Sequence, residues 1–255
     1  MRSLKTITLS LVLATTLAAP AFAAQCGNDS GGFNAWKSAF AAEAKKAGVK
    51  QRGLDALANA SYASDTIKAD RNQKSFKYTL DKFLQLRGAD TIVSQGRKRK
   101  AKNAGFYSSL EKQYGVPAGV LLAIHGMETG FGGFMGGSAV VSAITTLAYD
   151  CRRSDFFTPH AIGALMLVDQ GSITSSTKGA KHGELGHTQF LPGNAMRYGV
   201  DGNGDGRVDL YNQTDALAST ANFLKGHGWR PGLGYGPGEP NYAALQGWNA
   251  ASVYQ

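Results

Sequence analysis

An apolar segment near the middle of the chain ends in a lone carboxylate, and this segment constrains the fold most strongly. It runs from Pro117 to Glu128 and continues directly into the glycine-rich turn Thr129-Gly130-Phe131-Gly132. Proline is tolerated in the first turn of a helix, and Leu121, Ile124 and Glu128 then follow at helical spacing on one stripe. The segment therefore predicts a buried helix that carries Glu128 at its C-terminal end.

This position favours the protonated form of the Glu128 side chain. Burial raises the pKa of a carboxyl group because an isolated anion is poorly solvated inside a protein. The C-terminal end of a helix also carries a partial negative charge, which disfavours a second anion. A glutamic acid that keeps its proton near neutral pH can serve as a general acid. The alternative is an acid in a frayed last turn that points to solvent.

The N-terminus has the pattern of a secretory signal peptide over residues 1–23. Basic residues precede an uncharged apolar stretch, residues 7–19, and Ala21-Phe22-Ala23 offers small side chains for cleavage. The apolar stretch is shorter than a membrane-spanning helix requires. We therefore expect a periplasmic protein with no transmembrane segment after signal removal, and a single domain over residues 24–255.

The chain is basic, with 27 Lys and Arg residues against 18 Asp and Glu residues. Loss of Arg2 and Lys5 with the leader lowers the formal charge from +9 to +7. Export argues against nucleic acid as the partner and favours polyanionic extracytoplasmic material, such as a cell wall with free carboxylates. The densest basic run, residues 97–102, is interpreted as a solvated helix face, with a docking surface as the alternative.

The chain contains two cysteines, Cys26 and Cys151. In an oxidising compartment they are expected to pair and to tie the mature N-terminus to the middle of the domain. Two free thiols are the alternative. Gln25 precedes Cys26 where lipoprotein processing prefers a small residue, which favours a soluble protein over a lipid-anchored one.

Helical periodicity dominates the mature chain and predicts a mainly α fold. The expected helices cover residues 33–47, 54–58, 76–86, 89–114, 117–128, 156–170 and 214–227. The best strand candidate is 138–144, which could equally be a loop. Two stretches without periodicity, 171–186 and 229–240, are long enough to line a cleft or to act as lids.

A loop rich in aspartate, asparagine and glycine begins at Asp201 and follows the pattern of calcium-binding loops. Oxygen-bearing side chains stand at its first, third and fifth positions, and a backbone carbonyl is available at the seventh; these candidate ligands are Asp201, Asn203, Asp205 and Arg207. Asn212 replaces the closing glutamate, and Asp215 could supply the missing carboxylate. We expect an EF-hand-like structural calcium site over residues 201–215, with a metal-free turn as the alternative.

The order of these motifs resembles the lytic murein transglycosylases of the B type. The similarity runs from about Phe33 to Gln255, nearly the whole mature chain. It is carried by Tyr114-Gly115-Val116-Pro117, Glu128-Thr129-Gly130-Phe131-Gly132, Thr146-Leu147-Ala148-Tyr149-Asp150 with Arg152-Arg153 and Phe156-Phe157, Gly186-His187-Thr188-Gln189-Phe190-Leu191-Pro192, the Asp201 loop, and Ala218-Ser219-Thr220-Ala221-Asn222-Phe223-Leu224.

The resemblance implies a lysozyme-like α-rich fold and a lyase that acts on peptidoglycan glycan strands in cell wall turnover. Such enzymes cleave the β-1,4 bond between N-acetylmuramic acid and N-acetylglucosamine and release 1,6-anhydromuramic ends. Glu128 falls on their single catalytic acid. The implied substrate-binding positions are Gln189, Asn222, Phe223, Trp248, Asn249, Tyr254, Arg152 and Arg153.

Several of these positions depart from the family's pattern. Phe223 and Trp248 stand where tyrosines are usual, and His187 is unusual within its motif. His187 is interpreted as a partly exposed loop histidine. Arg152 and Arg153 match a basic pair near the cleft that could hold the carboxylates of peptide stems.

A mechanism with one acid agrees with the residues. Glu128 would protonate the leaving O4 and then deprotonate the C6 hydroxyl, which attacks C1 of the same sugar. Hydrolytic glycosidases use two carboxylates, and Glu184, the acid of a polar loop, has no equally persuasive setting. No cofactor is expected for catalysis. The alternatives are a hydrolytic muramidase and a murein- or calcium-binding scaffold without turnover.

Overall fold

A computed structural model describes residues 24–72 and 78–255, so the predicted signal peptide lies outside the described residues. The described chain is mainly helical, as predicted. Its helices are α1 Phe33–Lys46, α2 Gln51–Ala58, α3 Ser64–Arg71, α4 Leu80–Arg87, α5 Ala89–Lys102, α6 Ala104–Tyr114, α7 Ala118–Thr129, α8 Val140–Tyr149, α9 Ser154–Gln170, α10 Pro192–Tyr198, α11 Gln213–Gly226 and α12 Tyr242–Trp248, followed by the 3-10 helix Ser252–Tyr254.

Helices α7, α8, α9 and α11 form the centre of the core. Each is apolar over most of its circumference, which is the pattern of a helix that is covered on several sides. Helix α9 packs against α2, α8 and α10, and α7 packs against α5, α6 and α11. This packing fixes the position of the helix ends, including the end of α7 that carries Glu128.

The helix that carries Glu128 begins and ends as its sequence predicts. Pro117 occupies the N-cap position, where a missing N–H costs nothing, and Gly130 ends the helix in the left-handed region with a φ of 58°. The backbone N–H of Gly130 donates to the carbonyl of Gly126. The turn that follows is thus fixed directly behind Glu128.

Two sequence predictions about secondary structure were wrong. The single helix predicted over 89–114 is interrupted at Asn103, whose φ of −122° and ψ of 38° separate α5 from α6. The strand candidate 138–144 contributes only Ser138–Ala139 as strand β1, and Val140 then begins α8. A short run of buried apolar residues has no periodicity that would distinguish a strand from a buried helix.

Strand β1 pairs in antiparallel register with β2, Lys178–Gly179, with Ser138 opposite Gly179. This two-stranded ribbon joins the turn after α7 to the long loop 171–186. The loop therefore lies beside the helix end that carries Glu128.

The predicted disulfide is confirmed between Cys26 and Cys151, whose Cα atoms lie 5.0 Å apart. The Gly27 N–H donates to the Tyr149 carbonyl, and the Cys151 N–H donates to the Gly27 carbonyl. The N-terminal end of the described chain is thus fastened to the end of α8. Among residues 24–72 and 78–255, no helix is both long and apolar enough to cross a membrane.

Candidate active site

Two donors from the C-terminal part of the chain hold the carboxyl group of Glu128. The Tyr254 hydroxyl donates to Glu128 Oε1 at 2.5 Å, and the indole Nε1–H of Trp248 donates to the same oxygen at 3.2 Å. Trp248 ends α12 and Tyr254 ends the 3-10 helix, so both elements fold back over the end of α7. The carboxyl group is fixed in one orientation before any ligand arrives.

The surroundings of Glu128 raise its pKa above the ordinary range of a glutamate. The largest cause is burial, and the charge of Glu184 acts in the same direction. The hydrogen bonds from Tyr254 and Trp248 and the positive charge of Arg87 act the other way, because each favours the carboxylate form. The environment therefore favours the proton while providing groups that stabilise the anion left after proton transfer.

Glu128 lines a pocket of about 240 Å³ that is open to solvent. The walls carry several side-chain amides, another carboxylate and aromatic rings, contributed by Glu184, Gln189, Asn194, Asn249, Phe190, Phe223 and Trp248. Side-chain amides and aromatic faces are the groups that bind sugar hydroxyls and sugar rings. The pocket brings together Gln189, Phe223, Trp248 and Asn249, all of which the resemblance implies as substrate-binding residues.

Gln189 adopts a backbone conformation that glutamine seldom takes. Its φ is 58°, in the left-handed region. Its side-chain amide donates to the Gly186 carbonyl at 2.7 Å, and its backbone N–H donates to the same carbonyl. Strain of this kind persists where the surroundings hold a residue in a functional position, and here the turn directs the Gln189 side chain along the pocket wall.

An aromatic cluster around Phe223 supports the pocket. The Phe223 ring is buried, stacks on His227 at a centroid distance of 3.9 Å and meets Trp248 edge to face at 5.1 Å. Phe190 meets the same indole at 5.1 Å. The phenylalanine therefore orients Trp248, whose N–H reaches Glu128, through ring packing.

The remaining predicted substrate residues lie outside the wall of this pocket. The Asn222 amide donates to the Tyr198 carbonyl at 3.0 Å and fastens α11 to α10. Arg152 and Arg153 both form ion pairs with the buried carboxylate of Asp70. These ion pairs could not be recognised from the sequence, because Asp70 precedes the arginines by about eighty residues of chain.

Glu184 is a cleft residue that the sequence reasoning set aside, because its polar loop has no periodic pattern. The structure places it in the same pocket as Glu128 and Gln189. Glu184 Oε2 accepts the backbone N–H of His182 at 3.0 Å, and Oε1 lies 3.4 Å from His182 Nδ1. The same imidazole lies 3.8 Å from Asp70, so a chain of polar side chains connects the arginine pair with the cleft.

Helix α4 also contacts the residues around Glu128. Phe83 is its only buried side chain in the described structure, and its ring lies 6.3 Å from that of Tyr254. Arg87 donates to the Met127 carbonyl at 3.0 Å, next to Glu128, and its guanidinium lies over the Phe83 ring. The sequence predicts a helix here, but not these contacts.

His187 lies beside the site and is half-buried. Its Nδ1 is 3.0 Å from Nε2 of the buried His125, and its backbone carbonyl accepts the Thr129 hydroxyl at 2.7 Å. Burial lowers the pKa of His125 to about 3 and also lowers that of His187. The pair therefore shares a hydrogen bond as neutral rings and secures the glycine turn behind Glu128.

The predicted calcium loop is ordered by its own carboxylates. Asp201 accepts the backbone N–H groups of Gly204, Asp205 and Gly206, and these bonds lower its pKa. Asp215 is fully buried and accepts the amides of Gly202, Asn203 and Asp209. Within the described ranges, no three His, Cys, Asp or Glu side chains converge into a metal-holding group.

The chain is similar to proteins of a known family. The transglycosylase SLT domain family matches residues 32–238. Membrane-bound lytic murein transglycosylase B of Escherichia coli K12 is 35% identical over 137 residues, which is 50% of this chain but only 38% of that relative.

Solved structures show the same fold. SltB3 of Pseudomonas aeruginosa, in complex with NAG-anhNAM-pentapeptide, has a TM-score of 0.77 at 27% identity and covers 87% of this chain and 76% of its own. The Escherichia coli lytic transglycosylase Slt35, in complex with calcium, has a TM-score of 0.73 at 22% identity. The match covers 91% of this chain and 92% of the Slt35 chain. The predicted lysozyme-like helical class is thus confirmed. Because the family match extends over most of its length, the chain belongs to the transglycosylase SLT domain family.

Proposed function

We propose that this chain is a peptidoglycan lytic transglycosylase that leaves 1,6-anhydro-N-acetylmuramic ends. The observation that carries the proposal is Glu128, a half-buried acid held by Tyr254 and Trp248 in a pocket lined with amides and aromatic rings. Family membership supports it, and so does the complex of the relative SltB3 with NAG-anhNAM-pentapeptide.

In the first step, the proton of Glu128 passes to the glycosidic O4, and the bond between C1 and O4 breaks. Burial makes the acid available in its protonated form. As the proton leaves, the hydrogen bonds from Tyr254 and Trp248 stabilise the carboxylate that forms. These donors are in place beforehand, so little reorganisation is needed during the reaction.

In the second step, the Glu128 carboxylate takes the proton of the C6 hydroxyl on the muramic residue, and O6 bonds to C1. Both atoms belong to the same sugar, so the attack has the high effective concentration of an intramolecular reaction. Glu128 ends the cycle protonated again. One acid therefore serves both steps, and no cofactor is required for this chemistry.

The other predicted substrate residues receive roles from their surroundings. Gln189 and Asn249 line the pocket and are proposed to bind sugar groups. Asn222 has its amide nitrogen engaged, so any sugar contact would fall to its carbonyl oxygen. Arg152 and Arg153 keep side-chain exposures of 42% and 33% while paired with Asp70, and the exposed part is proposed to meet the peptide-stem carboxylates.

We also propose that the protein is exported by a signal peptide over residues 1–23 and acts in the periplasm as one domain over residues 24–255. Peptidoglycan glycan strands are its proposed partner in cell wall turnover, and nucleic acid is not. The confirmed disulfide supports this location, because such bonds persist in oxidising compartments.

The loop at Asp201 is proposed to bind a structural calcium ion. The side-chain oxygens of Asp201, Asn203 and Asp205 and the carbonyl of Arg207 form a donor set that suits this hard cation. Asp215 is proposed either to bind the ion directly or to hold the loop in shape through the hydrogen bonds that it accepts from the backbone amides of Gly202 and Asn203. The complex of Slt35 with calcium supports the proposal.

Calcium should raise the melting temperature of the mature protein, because an ion that binds only the folded loop stabilises the folded state. Asp201→Ala or Asp205→Ala should abolish the rise, and Asp90→Ala, at an exposed helical position, should keep it. Differential scanning calorimetry with calcium and with chelator measures the effect. Equal melting curves in the two conditions would contradict the calcium site.

Product analysis tests the main proposal. Purified murein treated with the mature protein should yield anhydro-muropeptides by mass spectrometry, and Glu128→Gln should lose nearly all activity because the amide cannot donate a proton to O4. Reducible muramic ends would instead show a hydrolytic muramidase. Murein binding without cleavage by either protein would show a scaffold that lacks turnover.

A further inference from the structure

We propose that Glu184 is a substrate-binding residue of the cleft, where its carboxylate accepts hydrogen bonds from the hydroxyl or amide N–H groups of a bound sugar. This inference rests on the proposed function for the class of ligand. It assigns a substrate contact to a side chain that the sequence reasoning set aside.

The first argument is position. Glu184 lines the same pocket as Glu128, Phe223 and Trp248. Its side chain is 23% exposed, so it is accessible to a ligand and yet largely removed from water. A ligand that fills the pocket displaces the water that otherwise solvates this carboxylate.

The second argument is the count of hydrogen-bond acceptors. An ionised carboxylate offers about four lone-pair sites. Within the part of the chain that the structure describes, the hydrogen bond to the Glu184 carboxylate comes from the backbone N–H of His182, and the His182 imidazole Nδ1 lies 3.4 Å from the other oxygen. Acceptor capacity thus remains for a ligand in the pocket. A desolvated carboxylate with unfilled acceptor sites is costly unless the ligand brings donors, and sugars carry many.

The third argument is that Glu184 is held in place. The backbone N–H of His182 fixes one carboxylate oxygen, and the His182 ring lies between Glu184 and Asp70. Asp70 is buried and is itself held by Arg152 and Arg153. A side chain anchored in this way meets a ligand with little loss of conformational freedom.

The test measures sugar binding separately from turnover. In the Glu128→Gln background, which is expected not to cleave, calorimetry gives the Kd of a soluble oligosaccharide of alternating N-acetylglucosamine and N-acetylmuramic acid. Adding Glu184→Gln should raise this Kd about tenfold, the effect of losing one hydrogen bond to a charged group. Glu111→Gln, at an exposed position on α6, should leave the Kd unchanged.

Glu184→Asp provides a second variant that keeps the charge but shortens the reach, and it should also weaken binding. Unfolding midpoints establish that both variants are folded. An unchanged Kd in both variants would overturn the inference, whatever the products of the wild type. Weaker binding in a protein that releases no anhydro-muropeptides would keep the inference and refute the proposed function.

Discussion

Replacing Tyr254 by phenylalanine removes one hydroxyl donor from the Glu128 carboxyl group and leaves the ring in place. The hydroxyl lies 2.5 Å from Glu128 Oε1, close enough for a charge-assisted hydrogen bond once Glu128 is ionised. In the proposed mechanism Glu128 becomes a carboxylate as it gives up its proton, so this bond strengthens toward the transition state. Its loss should lower kcat more than it raises KM.

The size of the loss in kcat follows from the kind of hydrogen bond that is removed. A hydrogen bond to a charged group contributes about 1.5–3 kcal/mol, which corresponds to a loss of about 10- to 150-fold in kcat. The Trp248 indole donates to the same oxygen at the longer distance of 3.2 Å. Trp248→Phe should therefore cause a smaller loss than Tyr254→Phe.

The pH dependence should change in a defined direction. The Tyr254 hydrogen bond lowers the pKa of Glu128 and so opposes the larger effect of burial. Without it the pKa rises, the acid keeps its proton to higher pH, and the alkaline limb of the kcat profile should move upward. Arg87 and Glu184, the other charged groups that act on Glu128, are unchanged in this variant.

The assay follows release of anhydro-muropeptides from murein over a range of pH. Tyr235→Phe is the matched control, since Tyr235 is 45% exposed. A Tyr254→Phe variant with wild-type kcat, or with an alkaline limb moved to lower pH, would refute the role assigned to this hydroxyl.

Two further predictions concern the elements that hold the site. Phe83→Ala should lower kcat by loosening the Tyr254 ring, and the loss should largely vanish in the Tyr254→Phe background, because the two side chains act as a unit; additive losses in this double-mutant cycle would contradict the coupling. Replacing Cys26 and Cys151 by serine should lower the free energy of unfolding by about 5 kcal/mol in the chain-entropy account of so long a loop, measured by urea denaturation; a loss below about 1 kcal/mol would contradict that account.

The sequence predicts those parts of the fold that depend on local pattern. The helix over residues 117–128 was predicted because its apolar spacing, proline and glycine turn all agree. Helix α8 was not, because its residues are buried on nearly every side and leave no periodic signal. The break at Asn103 was missed for a different reason, since asparagine is tolerated within helices and tertiary packing decides where the chain turns.

In the candidate site, too, local sequence pattern predicts single residues but not the contacts between distant segments. Glu128 was identified from its own segment, but its contact with Tyr254 spans a separation of 126 residues, and only resemblance to a family placed the two together. The places of Glu184 and Phe83 at the site were not predicted, because the residues that they meet there come from distant segments. Asp70 also forms its ion pairs with Arg152 and Arg153 across a long stretch of chain, and no local sequence pattern marks it as their partner.

The left-handed backbone of Gln189 has a consequence for how this protein can be made more heat-resistant. Glycine would adopt that conformation without steric penalty. It would also remove a side chain from the wall of the pocket that holds Glu128. A glycine chosen only to relieve backbone strain would therefore cost the proposed function, and stabilising substitutions belong on surfaces remote from this turn.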